Sequence, residues 1–178
     1  MRLQLIASLA LTLLARGEVA TAAPIDPCAL PQGLDSKISP KFQGAHLVSL
    51  ADLDDYDRKL YKKDHGSRCP GLVKINFYGD GKPTWALVLI SGTDPKKTKA
   101  ELIVARQLDG EWDIRSLETT DGTPVVWREG PGKYEGMYGD GIKTIHATNP
   151  VIVFCGYGSW AIVYAWNGRE VEKVWVSD

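Results

Sequence analysis

The sequence predicts an α+β fold: a predominantly antiparallel β meander of about seven to nine strands with one N-terminal amphipathic helix. Three observations lead there. Apolar, β-branched runs recur along residues 72–176, most of them separated by tight X-Gly turns. No helical pattern recurs between those runs, which argues against parallel strands with helical crossovers. A single stretch, residues 52–65, carries helical periodicity with matched end charges. A sheet of that many strands is expected to curl or to split into two layers.

Residues 1–22 read as an export leader. Arg2 opens it, an apolar run of residues 3–15 follows, and Ala20-Thr21-Ala22 forms a small-x-small cleavage site. The run falls short of the roughly 20 apolar residues that a membrane-spanning helix needs. The expected product starts after Ala22 or Ala23 and is periplasmic or extracellular, with no membrane span. Loss of Arg2, Arg16 and Glu18 with the leader moves the formal net charge from −1 to −2. That balance offers nothing to nucleic acid or to an anionic surface.

Residues 23–44 contain Pro24, Pro27, Pro31 and Pro40 and read as an irregular N-terminal arm. Residues 45–178 form a single α+β domain, beginning with a short strand over 45–50. In the helix, Asp52 is the expected N-cap. Acidic residues crowd the first turns, and Arg58, Lys59, Lys62 and Lys63 fill the second half, complementing the helix dipole. Leu53, Tyr56, Leu60 and Tyr61 form its apolar stripe, and Gly66 ends it.

Strands follow over 72–78 and 84–91, around Gly79-Asp80-Gly81-Lys82-Pro83. Residues 99–108 and 111–117 flank Asp109-Gly110, a pair suited to a type I′ turn. Shorter strands are expected at 124–127 and 142–147. Residues 151–154 are continuously apolar. Residues 161–166 and 171–176 flank Asn167-Gly168 and make the strongest hairpin signal in the chain. Residues 130–141, with Pro131 and several glycines, read as a loop.

Three cysteines, Cys28, Cys69 and Cys155, allow three pairings. Cys28–Cys69 is favoured. Cys28 lies in an arm otherwise loosely held, Cys69 lies in a turn-like Arg68-Cys69-Pro70-Gly71, and an exported chain favours oxidation. Cys155 then remains as a buried thiol on a strand.

Four groups of residues bear on the chemistry this chain could carry out. Tyr134, Tyr138, Tyr157 and Trp160 sit in glycine-rich segments where aromatics tend to be exposed, which suits an envelope protein or a glycan as partner. Cys155 and His146 lie on consecutive predicted strands and could form a nucleophile and base of a small hydrolase, though no third residue is marked to orient the base. Asn76 and Asp80, aligned on Gly81, are candidate calcium ligands, with Tyr78 a poor third. His46, His65 and His146 show no zinc-ligand spacing. No cofactor is implied.

The segment Asn76-Phe77-Tyr78-Gly79-Asp80-Gly81-Lys82-Pro83-Thr84-Trp85-Ala86-Leu87 resembles the F-x-GDG-x-x-D-hydrophobic stretch of FG-GAP or VCBS-type repeats, without their first metal-binding aspartates. The chain beyond the leader also resembles small exported bacterial proteins of uncharacterised function. The resemblance implies an exported β domain and no particular activity. The sequence reading is therefore a non-catalytic exported binding domain, with a cysteine hydrolase and a calcium-stabilised module as alternatives.

Overall fold

A computed structural model describes residues 26–92, 98–139 and 141–176, and of Tyr138 the backbone alone. The leader and Asp140 lie outside the described residues. The described residues form eleven strands in two antiparallel sheets, more than the seven to nine expected.

The first sheet holds β1 (His46–Leu47), β2 (Leu72–Ile75), β3 (Thr84–Ser91), β4 (Lys99–Leu108) and β5 (Glu111–Asp121). β3, β4 and β5 form a meander, and β1 and β2 share the free side of β3. The β4–β5 turn is made by Asp109 and Gly110, with φ of 52° and 86°. Both angles are positive, as a type I′ turn demands. Alternation splits the sheet into two apolar faces. Ala86, Val88 and Ile90 pair with Val104, Leu102 and Ala100 on the inner face. Leu87, Leu89, Ile103 and Ala105 point outward, where Leu34 and Ile38 cover them. Those two residues belong to the N-terminal arm, which is more ordered than its prolines suggest and contains a short helix, α1 (Asp35–Ile38). The Cys28–Cys69 disulfide ties this arm down, as the sequence indicates.

The second sheet holds β6 (Val125–Glu129), β7 (Gly132–Tyr138), β8 (Gly141–Ala147), β9 (Val151–Gly156), β10 (Trp160–Trp166) and β11 (Val171–Val176). Its order is β6-β9-β10-β11-β7-β8, so the expected simple meander is broken twice. The stretch 130–141, read as a loop, is largely strand β7. Its glycines serve the pairing rather than a loop: a Cβ on Gly136 would lie 1.8 Å from the Trp175 carbonyl oxygen, so only glycine lets β7 approach β11 this closely.

Both faces of β9 and β10 are buried, which accounts for continuous apolar runs in place of alternation. The face bearing Ile152, Phe154, Ile162 and Tyr164 turns toward the first sheet, and the Tyr164 hydroxyl donates to Glu118 on β5 at 2.7 Å. Val153, Val163, Val174 and Ile145 lie on the opposite face. There β8 also approaches β10 and β11, so the sheet curls over itself. The two sheets meet at a seam, where Val126 N–H donates to the Pro70 carbonyl at 2.8 Å. One apolar core runs through both.

The helix α2 spans Asp55–His65 and is capped by Asp54, whose carboxylate accepts from Asp57 N–H at 2.8 Å. Asp52, the expected cap, instead accepts from Ser49 and pairs with His46. Leu53 and Tyr61 face the core, whereas Tyr56 of the expected stripe is exposed. Among the described residues no helix is long and apolar enough to cross a membrane.

Candidate functional site

The register of the second sheet lines up apolar side chains across its strands. Ile142 of β8 pairs with Met137 of β7, and Met137 pairs with Trp175 of β11. Trp175 pairs in turn with Ile162 of β10, and Trp160 stands two residues along on the same face. The row is buried at Phe154 and Ile162 and emerges toward the β7–β8 edge. Trp175 is 41 % exposed, Met137 52 % and Ile142 75 %. Trp160 links the buried and exposed parts. Its ring lies 5.2 Å from Phe154 and 5.7 Å from Trp175, edge-on to both. Three of the exposed large hydrophobic residues thus fall in one cross-strand line.

Of the four aromatics picked out in the sequence, Trp160 joins this row. Tyr134 is half-buried, and its hydroxyl donates to the Gly130 carbonyl at 2.6 Å. Tyr157 is also half-buried, stacked on Trp127 and edge-on to Tyr61. Burial raises its phenol pKa, and its hydroxyl is enclosed without a hydrogen-bond partner. The side chain of Tyr138 lies outside the described residues. Trp175, Met137 and Ile142 were not singled out by sequence reasoning. Met137 falls within the stretch 130–141 that reads as a loop, and Ile142 stands directly beside it. Only the β7–β11 pairing reveals their alignment.

The proposed pair of Cys155 and His146 is not brought together. Consecutive in sequence, β8 and β9 are separated in the sheet by β10, β11 and β7. His146 is exposed on β8, whereas Cys155 is buried. The imidazole nearest in kind is that of His65, at the end of α2. It shares a cleft of about 440 Å³ with Cys155, Trp127 and Tyr157. Its ring centroid stands 4.8 Å from those of both Tyr61 and Trp127. Burial among these rings lowers its pKa. The ring packs tilted against both aromatics. Asp64 and Glu129 line the same cleft and act on it electrostatically, and the Glu129 carboxylate is engaged by the Trp127 indole N–H at 2.9 Å.

Asn76 and Asp80 do lie in one turn, but their oxygens serve it. Asn76 Oδ1 accepts from Gly81 N–H at 3.2 Å, and Asp80 Oδ1 accepts from Lys82 N–H at 3.0 Å. The other Asp80 oxygen faces Arg106 at 3.5 Å, and that guanidinium lies 3.8 Å over the Tyr78 ring. The turn is thereby pinned to β4. Among the described residues no group of three or more His, Cys, Asp or Glu side chains is placed to hold a metal ion.

Comparison with family models, curated proteins and solved structures finds no match to this chain.

Proposed function

We propose that this chain is an exported, non-catalytic interaction domain that meets a protein partner through the row Trp160, Trp175, Met137 and Ile142. One observation carries the reading: exposed Trp175, Met137 and Ile142 stand side by side on a rigid sheet rather than scattered. Isolated surface apolar groups need no explanation, but aligned ones next to tryptophan have the composition of a contact centre. Their placement on paired strands supports pre-organised binding, because little side-chain or loop entropy remains to be lost. An envelope protein fits the export reading better than a cytoplasmic partner.

The test is a cross-linking pull-down from envelope extract with the leaderless protein, comparing wild type with Trp175→Ser and Met137→Ser. The variants should lose the wild type's captured bands while keeping its far-UV circular dichroism. Equal capture by all three proteins would remove the basis of this reading. The export component is tested separately: the N-terminus of the accumulated protein should begin at Ala23 or Pro24.

A further inference from the structure

We propose that the partner at this surface is a second copy of the same chain, joined by antiparallel pairing of the two β8 strands about Thr144. The inference rests on the reading of the apolar row as a protein contact surface and places a second copy at the end of that row, beside Ile142.

Unpaired sheet edges recruit other strands unless something guards them. The edge strands here differ sharply in their protection. β5 carries Glu111, Asp113, Arg115, Glu118 and Asp121. β1 is two residues long. β6 is flanked by the Pro70 carbonyl, which Val126 N–H already uses. β8 has β7 on one side and, among the described residues, no strand on the other. Its seven residues include no proline and a single fixed charge, Lys143, which lies 3.9 Å from Glu172. Gly141, Ile142, Thr144 and His146 are exposed along it. The unguarded edge is also where the apolar row ends.

Charge and the length of pairing together decide the register. A two-fold axis at Thr144 sets Ile142 against the second copy's His146 and Lys143 against its Ile145, so no like charges are opposed. An axis at Lys143 would oppose two ammonium groups. The Thr144 register uses all seven residues of each strand and gives the exposed Ile142 cross-strand neighbours. It is isologous, so the assembly closes at two copies and leaves no unguarded edge to propagate.

Sedimentation equilibrium on the leaderless protein tests this at concentrations up to about 100 μM, where contacts of micromolar Kd are populated. Wild type should sediment at twice the chain mass. Thr144→Lys and Thr144→Glu each place like charges on the axis and should sediment as monomers with unaltered circular dichroism, Thr144 being exposed. Mixed in equal amounts they should recover the double mass. A wild type that stays monomeric overturns the proposal, as does either variant remaining dimeric alone or a mixture that fails to associate. A dimer lost on Trp175→Ser but kept by both Thr144 variants also overturns it, while leaving the contact role of the apolar row standing. A monomeric wild type with Trp175-dependent capture of another protein does the same.

Discussion

Glu118 on β5 receives two donors from the other sheet, the Tyr164 hydroxyl and the Lys173 ammonium. Burial raises its pKa, but the hydrogen bonds from Lys173 and Tyr164 outweigh that and hold it below the usual glutamate value. A carboxylate with a depressed folded pKa contributes stability above its unfolded pKa and loses it as pH falls through the folded one. Glu118→Gln should therefore cost about 1.5–3 kcal/mol near neutrality, by the usual worth of a hydrogen bond to a charged group. The deficit should shrink as pH falls below the ordinary glutamate range and through the depressed folded value, where the wild-type group is itself protonated. Urea titrations at several pH values measure both. His65 works in the opposite chemical sense. Burial against Tyr61 and Trp127 lowers its pKa, so the folded state favours the neutral ring. Its contribution is complete above the unfolded pKa of about 6.5 and declines as pH falls toward the folded value. The melting temperature should drop as pH falls below about 6.5, and His65→Gln should flatten that segment of the profile. An unchanged slope in the variant would assign the dependence to other groups.

At the level of elements, glycines and the disulfide decide whether strands and arm stay in place. Gly136→Ala would drive a methyl into the Trp175 carbonyl, an atom that cannot move without the whole of β11. A loss of about 3 kcal/mol or more is expected from such a backbone clash. Gly132→Ala, on the same strand, meets only the Tyr134 ring at 3.8 Å and should be close to neutral. Chemical denaturation of the pair reads the contrast. The disulfide closes a loop over a sequence separation of 41 residues. Chain entropy then places the cost of reduction at about 4 kcal/mol. Reduction should raise hydrogen exchange first in α1 and at Leu34 and Ile38, the cover of the first sheet. Much at this scale was legible beforehand. The Asp109-Gly110 and Asn167-Gly168 hairpins follow from turn chemistry, and the disulfide follows from where Cys28 and Cys69 sit. Strand β7 was not legible, because its glycines look like loop residues until β11 is seen lying against them. The cap of α2 is ambiguous in sequence because four aspartates lie within residues 52–57, and only the fold engages Asp52 with Ser49 and His46 and leaves Asp54 as the cap.

At the scale of the whole molecule, the shared core argues for unfolding as one unit. Val88 of the first sheet and Phe154 of the second belong to the same apolar cluster, and both are fully buried. Val88→Ala and Phe154→Ala should each lower the midpoint of a single transition, the latter by about 3–5 kcal/mol. Calorimetric and van't Hoff enthalpies should agree in wild type and in both variants. Two resolved transitions would mean that the sheets are independent. The strand content and the tight turns at X-Gly pairs were set by the residues alone, since alternation, β-branching and left-handed turn positions act over a few neighbours. The pairings of β6 with β9 and of β7 with β11 were decided only by the fold. Such pairings depend on which apolar faces can be covered together, a condition no local pattern contains. That choice separates Cys155 from His146 and brings Ile142, Met137 and Trp175 into one line at an open edge.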